Sequence, residues 1–241
     1  MAAQDAVPRW LAEASAEESL AWANERFGER AAIASSFGVE DVVLIDLASR
    51  HAPRIGVFTL DTGRLPPETY EVMDEVRRRY RISIATFFPE RAWVEALERE
   101  KGFFSFRRSI AERKECCAIR KLEPLSRALA DRSAWLTGLR REQSVTRAEV
   151  ATAEIDVTHG GIFKLNPLAA WTEAEVWRYA REQDLPVNAL HARGYPSIGC
   201  APCTRAIQPG EDLRAGRWWW ESPEHKECGL HLRVVATEGR G

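Results

Sequence analysis

The sequence contains no apolar stretch that approaches the roughly 20 residues needed to cross a bilayer, and residues 1–9 show no basic segment followed by an apolar run. These absences predict a cytoplasmic protein without a membrane partner. The formal net charge is only −2, so no overall positive field attracts nucleic acid, and anions must be recognised by local clusters of arginine and lysine. The Walker-A and Gly-x-Gly-x-x-Gly phosphate-binding patterns are also absent.

Histidine is scarce, with five residues, of which His51, His159, His191 and His225 show no metal-ligand spacing, but there are also five cysteines. Cys116 and Cys117 are adjacent, Cys200 and Cys203 form a Cys-x-x-Cys pair, and Cys228 stands alone. Four thiols fit a zinc or iron–sulfur centre, and the adjacent pair favours iron–sulfur, because local zinc ligands are typically two to four residues apart. Core filling or redox pairing is the alternative for these four. The fifth thiol is a candidate nucleophile.

Short apolar runs alternate with amphipathic segments through much of the chain. The pattern predicts strands over residues 31–36, 55–60, 82–87 and 135–138, and helices over residues 10–27, 42–49, 66–80, 111–130 and 172–183. Strands that alternate with helices predict an α/β fold, in which a parallel sheet carries helices on both faces. Such sheets bind ligands at the carboxyl ends of their strands.

Two turns follow predicted strands and are candidates for substrate binding. In Ser35-Ser36-Phe37-Gly38 the serines can donate hydrogen bonds, the glycine permits close backbone approach, and the next helix presents its positive N-terminus, which suits a phosphate or sulfate group. The second turn, Asp61-Thr62-Gly63, is either a nucleotide contact or a structural Asx turn. Arg140 and Arg141 follow the strand over residues 135–138. Their guanidinium groups either bind anionic oxygens or belong to a solvated surface.

Further cations accompany the cysteines. Lys121 lies one predicted helical turn after Cys117, which would place a positive charge beside the metal. Arg214 and Arg217 lie between glycine-bearing turns, close in sequence to Cys228, and could neutralise an anion brought to that thiol. The three tryptophans that follow, residues 218–220, favour packing over base stacking.

Seven motifs together resemble the assimilatory adenylylsulfate reductases, within the wider group that includes the phosphoadenylylsulfate reductases. They are Ser-Ser-Phe-Gly-Val-Glu-Asp (35–41), Leu-Asp-Thr-Gly-Arg-Leu (60–65), Cys-Cys-Ala-Ile-Arg-Lys (116–121), Thr-Gly-Leu-Arg-Arg-Glu-Gln-Ser (137–144), Gly-Cys-Ala-Pro-Cys-Thr-Arg (199–205), Arg-Ala-Gly-Arg-Trp-Trp-Trp-Glu (214–221) and Glu-Cys-Gly-Leu-His (227–231). The resemblance implies an adenine nucleotide α-hydrolase-like, PP-loop-like fold. It also implies one 4Fe-4S cluster on Cys116, Cys117, Cys200 and Cys203, and a catalytic Cys228.

The activity implied by the resemblance is reduction of adenylylsulfate to sulfite and AMP in assimilatory sulfate reduction. An S-sulfocysteine would form on Cys228, His231 could assist, and the thiols that release sulfite would come from thioredoxin or glutaredoxin. Charge balance assigns Lys121, Arg140, Arg141, Arg214 and Arg217 to the substrate's anionic groups. We expect one α/β domain that binds nucleotide and cluster over residues 1–210 and a flexible catalytic tail over residues 211–241, with homo-oligomerisation open.

Three alternatives remain from the sequence. The substrate could be the 3′-phosphorylated nucleotide, or both nucleotides could be accepted. An ATP-cleaving enzyme of RNA thiolation has the same implied fold, but its usual Ser-Gly-Gly-x-Asp-Ser loop is absent from this chain. A zinc-stapled binding module would need only the Cys-x-x-Cys pair and would leave Cys228 and the arginine-rich tail without a role.

Overall fold

The computed structural model describes residues 6–222 and 229–230, and in this part of the chain six strands form one sheet with seven α-helices around it. The strands are β1 (Ala31–Ala34), β2 (Gly56–Leu60), β3 (Ile84–Phe87), β4 (Ala134–Leu136), β5 (Ala153–Asp156) and β6 (Ile162–Leu165). The helices are α1 (Ala16–Phe27), α2 (Val39–His51), α3 (Pro67–Tyr80), α4 (Arg91–Lys101), α5 (Ile110–Cys117), α6 (Glu123–Leu129) and α7 (Glu173–Glu182).

The sheet has the strand order β3-β2-β1-β4-β6-β5. Neighbours from β3 to β6 pair in parallel, as the alternating pattern predicts. The edge strand β5, which was not predicted, runs antiparallel to β6, so the sheet is mostly parallel. A short connection between β5 and β6 explains the difference, because a tight hairpin can join only antiparallel strands.

Both faces of the sheet are covered, as expected for a parallel sheet with helical crossovers. On β1, Ile33 belongs to the core cluster shared with α1, α2 and α7, whereas its neighbour Ala32 belongs to a second cluster with Leu125 of α6. Successive strand residues point to opposite faces, so the two clusters are the two layers of the core. None of the helices in the described ranges is both long and apolar enough to cross a bilayer.

Two predicted helices differ from the observed ones in ways that have local causes. The first begins at Ala16 and not at residue 10, because Ser15 and Glu18 form a reciprocal capping box. The helix predicted over residues 111–130 is divided into α5, a π-helical segment Ala118–Leu122, and α6, which has Pro124 near its start. Such π-helical segments occur frequently at functional sites, and this one directly follows the two adjacent cysteines.

The segment after residue 210 packs against the α/β body as far as it is described. Thr204 and Arg217 form an antiparallel bridge, Trp218 donates its backbone N–H to the Cys203 carbonyl at 3.1 Å, and Trp218 is buried. The division into a domain over residues 1–210 and a tail over residues 211–241 stays a prediction.

Candidate active site and thiol cluster

A cavity of about 520 Å³ lies where β1, β2 and β4 end. Its volume is in the usual range for a small-molecule site, and its position is the one where α/β sheets bind ligands. The walls include residues from the turns after those strands, from residues 194–200 and from residues 213–218. Among the predicted site residues, the cavity is lined by Ser35, Ser36, Gly38, Thr62, Lys121, Arg140, Cys200, Arg214 and Arg217.

The turn after β1 uses its hydrogen-bond donors internally. Ser36 donates from its backbone N–H and its hydroxyl to Asp41 Oδ2, at 2.6 and 2.9 Å, and the Phe37 N–H is donated to Ser35 Oγ at 3.1 Å. Phe37 has a φ of 58° and a buried side chain in the core, outside the cavity lining. The left-handed backbone at Phe37 thus turns its ring into the core, while Gly38 lies at the cavity wall as the N-cap of α2.

Asp41 therefore occupies the position that the sequence suggested for a substrate oxyanion. Its carboxylate is buried, and burial raises its pKa to about 6, against the opposing effect of the two hydrogen bonds from Ser36. Gly138 is also required here, because a Cβ at this position would collide with Asp41 and Glu40. The turn after β1 is built around a carboxylate that is easily protonated.

The turn after β2 connects the cavity with the cysteines. Asp61 Oδ1 accepts a hydrogen bond from Gly63 N at 2.8 Å, which is an Asx turn, and neither residue lines the cavity. Tyr70 donates its hydroxyl proton to the same carboxylate at 3.0 Å. Thr62 lines the cavity and accepts a hydrogen bond from the Cys200 thiol at 3.3 Å. Of this turn, only Thr62 is placed to meet a ligand.

The adjacent residues Arg140 and Arg141 are not brought together by the structure. Arg140 lines the cavity and is 3% exposed, and its Nε and Nη2 donate to Glu40 Oε1 at 3.1 and 2.9 Å. Arg141 donates to the Val150 carbonyl at 3.0 Å and lines a separate cavity near the N-terminal 3₁₀ turn Arg9–Ala12. The extended backbone of Arg140 (φ −126°, ψ 150°) explains this separation, because consecutive side chains of extended chain point in opposite directions.

The four described cysteines form one buried cluster, each 8% exposed, and none of them is in a disulfide. Cys116 and Cys117 end α5, Cys200 directly precedes the 3₁₀ turn Ala201–Cys203, and Cys203 ends it. A small cavity of about 20 Å³ is lined by all four together with Arg64, Phe106, Arg113, Arg120, Lys121, Arg217 and Trp218. We call this group the thiol cluster.

The thiol cluster and the larger cavity share a wall made of Lys121, Cys200, Arg217 and Trp218. Burial by itself raises the pKa of the Cys200 thiol, but Lys121, Thr62 and the two nearby arginines reverse the shift, so that its pKa lies below the ordinary value. Burial and the neighbouring Cys200 raise the pKa of Cys203 to about 12. The arrangement therefore concentrates positive charge where the two cavities meet.

Residues 199–205 and 214–217 are held together by close backbone contacts. Arg205 N donates to the Gly216 carbonyl at 3.0 Å, and a Cβ at Gly216 would collide with the Arg205 carbonyl oxygen. A Cβ at Gly199 would collide with the Arg217 guanidinium, whose Nη1 donates to the Ile198 carbonyl at 3.1 Å. Two glycines thus let the predicted cation Arg217 lie against the cysteine-bearing turn, and Arg214 is buried in the same cavity wall.

The chemistry of the thiol cluster fits an iron–sulfur cluster. Three buried N–H groups lie among its lining residues without an acceptor in the structure: Arg120 Nε, Arg217 Nε and Trp218 Nε1. N–H donors around four thiols suit sulfur acceptors, since hydrogen bonds to the sulfurs of an iron–sulfur cluster are one way in which proteins set its reduction potential. Within the described residues, no three thiol, imidazole or carboxylate groups are arranged to hold a single metal ion.

Cys228 and His231, the predicted nucleophile and its neighbour, lie outside the described residues. Leu230, which is described, lines the larger cavity and packs against the second core cluster. It is two positions after Cys228 in the sequence.

Several residues of the site were not assigned a role from the sequence. Glu40 and Asp41 were recognised only as part of a motif, although they bind Arg140 and Ser36. Arg113 is fully buried and binds Glu221 across more than a hundred positions. No local pattern reveals the pairs of Arg140 with Glu40 and of Arg113 with Glu221, because their partners are distant in sequence and meet only in the fold.

Comparisons with known proteins agree with this architecture. The family model described as the phosphoadenosine phosphosulfate reductase domain matches residues 30–206. An adenosine 5′-phosphosulfate reductase of Burkholderia cepacia is 55% identical over 216 residues, which are 90% of this chain and 86% of that protein.

Two solved structures extend the similarity to the fold. A phosphoadenylyl-sulfate reductase from Candida auris, in a phosphate complex, has a TM-score of 0.68 at 28% identity and covers 82% of this chain and 92% of its own. An FMN adenylyltransferase of Candida glabrata has a TM-score of 0.54 at 14% identity, covering 93% of this chain and 76% of its own, and shows a shared fold alone. The predicted PP-loop-like α/β fold is confirmed.

Proposed function

The chain belongs to the phosphoadenosine phosphosulfate reductase family, and we propose that it reduces adenylylsulfate to sulfite and AMP in assimilatory sulfate reduction. It would be an oxidoreductase acting on a sulfur group. The observation that carries the proposal is the shared wall, where Lys121, Cys200, Arg217 and Trp218 line both a nucleotide-sized cavity and the small cavity of the four buried thiols. The high identity to an adenosine 5′-phosphosulfate reductase supports the choice of substrate.

Charge explains why this cavity suits such a substrate. Adenylylsulfate joins a sulfate to a phosphate, and an approaching thiolate is repelled by both; two unit charges about 4 Å apart interact by about 4 kcal/mol at an effective dielectric constant of 20. Lys121, Arg214 and Arg217 line the cavity and can offset this repulsion. Arg140 also lines it, but its charge is shared with Glu40, so we assign it to positioning the substrate more than to neutralising it.

In the first half-reaction, the thiolate of Cys228 attacks the sulfur of adenylylsulfate. A sulfur–sulfur bond forms to the thiol, the bond between sulfur and the bridging phosphate oxygen breaks, and AMP leaves with the electron pair. The product on the enzyme is S-sulfocysteine. Positive groups around the cavity would lower the pKa of the attacking thiol and stabilise the leaving phosphate. His231 is proposed to assist this step.

In the second half-reaction, a protein dithiol supplies two electrons. One donor thiolate attacks Sγ of Cys228, the bond to the SO₃ group breaks, and sulfite leaves with the electron pair. The second donor thiol then resolves the mixed disulfide, so that Cys228 returns to the thiol and the donor becomes a disulfide. Thioredoxin, or glutaredoxin, is the proposed donor, and the cytoplasm, where thiols stay reduced, is the proposed compartment.

We assign one 4Fe-4S cluster to the thiolates of Cys116, Cys117, Cys200 and Cys203. A single zinc ion would require all four sulfurs within about 4 Å of one another, whereas a cubane accepts ligands that are further apart. When bound, such a cluster would tie α5 to the turn Ala201–Cys203 behind the shared wall, and the neighbouring cations Arg120, Lys121 and Arg217 would balance the negative charge of its thiolates. The electrons of the reaction come from the donor dithiol.

Reduction of the 3′-phosphorylated nucleotide is the second candidate activity. It is favoured by the name of the matching family and by the similarity to the phosphoadenylyl-sulfate reductase of Candida auris. Steady-state kinetics with each nucleotide distinguish the two, and a higher kcat/KM for adenylylsulfate is the result that we expect.

The assignment of Cys228 is tested by sulfite release from adenylylsulfate in the presence of thioredoxin, thioredoxin reductase and NADPH. Cys228→Ser should release no sulfite while it retains nucleotide affinity and the visible absorption of the cluster. Ser222→Ala is the matched control, because it alters a small polar side chain in the same tail, six positions before Cys228, and it should remain active. Appreciable sulfite release by Cys228→Ser would refute the assignment.

A further inference from the structure

Exposed aromatic side chains lie beside the thiol cluster and have no place in the reaction described above. Phe103 and Phe104 are 63% and 59% exposed, and Trp219 is 38% exposed. The guanidinium of Arg107 lies 5.0 Å from the ring centroid of Phe104 and 5.9 Å from that of Trp219. We call Phe103, Phe104, Arg107 and Trp219 the aromatic platform.

The residues of the aromatic platform contact buried residues beneath them. Arg107 Nη2 donates to the carbonyl of Pro202, between the two cysteines of the Cys-x-x-Cys pair, at 3.3 Å. Phe106, beneath the platform, is 1% exposed, belongs to the thiol cluster, and contacts the ring of Trp220 at a centroid distance of 6.1 Å. Rings held by a rigid base lose little conformational entropy when a partner binds them.

The platform also lies at the base of the segment that leads to Cys228. Trp219 is two positions before Glu221, whose carboxylate is fixed by Arg113 Nε and Nη2 at 2.9 and 2.8 Å. The chain from this fixed point to Cys228 contains seven residues (228 − 221 = 7) and reaches at most about 25 Å. A protein seated on the platform would therefore lie within reach of the proposed nucleophile.

We propose that the aromatic platform is the docking surface for the protein dithiol that releases sulfite from the enzyme. The proposal rests on the proposed function and deepens it by naming where the donor binds. Exposed aromatic rings combined with arginine are the composition of interface hot spots. About half of three aromatic side chains is roughly 300 Å² of apolar surface, which suits a small, transient redox contact and falls short of what an obligate dimer buries.

Two assays separate donor docking from chemistry. The double variant Phe103→Ser/Phe104→Ser is compared with the parent holoenzyme in steady-state turnover, driven either by thioredoxin, with thioredoxin reductase and NADPH, or by dithiothreitol. We expect the KM for thioredoxin to rise about tenfold or more. Turnover with dithiothreitol and the single-turnover formation of S-sulfocysteine from adenylylsulfate should stay unchanged, because neither requires docking of a protein.

The matched control is Val157→Ser, since Val157 is 65% exposed and lies in the connection between β5 and β6. This variant should leave the KM for thioredoxin unchanged. A KM for thioredoxin within twofold of the parent value in the double variant overturns the proposal.

Other occupants of the platform give other results. If a second copy of the chain covered it, the double variant would shift the oligomeric state in sedimentation velocity and leave the thioredoxin KM unaltered, which contradicts the proposal. If the chain's own C-terminal segment covered it, the single-turnover rate would change instead, with the same consequence. Absence of S-sulfocysteine in the parent enzyme would refute the proposed function itself and is thus distinguishable from failure of the docking surface.

Discussion

The ion pair between Arg113 and Glu221 allows the stability of the site to be predicted quantitatively. Their side chains are 0% and 3% exposed, and the guanidinium and carboxylate meet through two hydrogen bonds of 2.9 and 2.8 Å. Removing one partner of a buried pair costs about 3–5 kcal/mol, because the other charge loses its counter-ion. The ring of Trp218, 4.7 Å from the guanidinium carbon, and the neighbouring Cys117, which also interacts with Arg113, lessen that cost. We therefore expect about 3 kcal/mol for Glu221→Gln.

Thermal unfolding of the holoprotein, followed by circular dichroism, measures this cost. For a chain of this size, about 3 kcal/mol corresponds to a fall in Tm of about 6–12 °C. Asp74→Asn is the control, because Asp74 pairs with Arg77 at 2.8 Å with side chains 53% and 56% exposed. An exposed pair of this kind is screened by solvent and contributes little, so the Tm of Asp74→Asn should change far less than that of Glu221→Gln.

A double variant tests whether the loss comes from an uncompensated charge. Arg113→Met combined with Glu221→Gln removes both charges, and a buried pair replaced by uncharged groups loses much less than a pair that is broken. The double variant should therefore be more stable than Glu221→Gln alone. A fall in Tm for Glu221→Gln no larger than that of Asp74→Asn would refute the reasoning.

Three further predictions concern the cofactor, the buried carboxylate and the close backbone contact. Cys200→Ser should lose the broad visible absorption and the iron content of the protein, and a fully coloured variant with unchanged iron would remove Cys200 from the ligand set. The pKa of Asp41, about 6 when folded, exceeds its ordinary value of 3.8. Its stabilising contribution is therefore present at low pH and is lost as the pH rises through 6, at a cost of about 3 kcal/mol near pH 7. The free energy of unfolding in urea should therefore rise in Asp41→Asn, relative to the parent, by about this amount between about pH 4 and pH 7. A difference between the two proteins that is independent of pH would contradict the burial argument. Gly216→Ala should lower the Tm and weaken nucleotide binding, because its Cβ would collide with the Arg205 carbonyl oxygen; unchanged binding by calorimetry would show that the contact does not shape the cavity.

Much of the fold was predictable because parallel strands buried on both faces leave short apolar runs in the sequence. β1, β2 and β4 have this pattern and were predicted within a few residues of the observed bounds, as was β3 at the other edge of the sheet. The hairpin of β5 and β6 was missed, since Ala153–Asp156 contains two acidic residues in four and lies at the sheet edge. Edge position relaxes the requirement for apolar residues, so the pattern weakens there.

The site was predictable where residue type alone limits the chemistry. Buried thiols far apart in sequence have few uses, and the structure brings the four predicted cysteines together in one cluster. The acceptor that each hydrogen-bond donor binds was not predictable. Ser36 donates to Asp41 and Arg140 to Glu40, and both depend on distances that only the folded chain defines.

The sequence also did not allow the directions of the Arg140 and Arg141 side chains to be predicted. Arg140 and Arg141 were predicted to act together, but the extended backbone directs them to separate cavities. Arg141 thus remains a candidate for substrate binding only by prediction, whereas Arg140 lines the larger cavity.

The central claim is that the thiol of Cys228 takes the SO₃ group directly from adenylylsulfate. The most direct test is intact-protein and peptide mass spectrometry of the holoenzyme after incubation with adenylylsulfate and without any thiol donor. The account predicts one added SO₃ group on the peptide that contains Cys228, released as sulfite when thioredoxin is added. An unmodified peptide after complete conversion of one equivalent of substrate to AMP would contradict it.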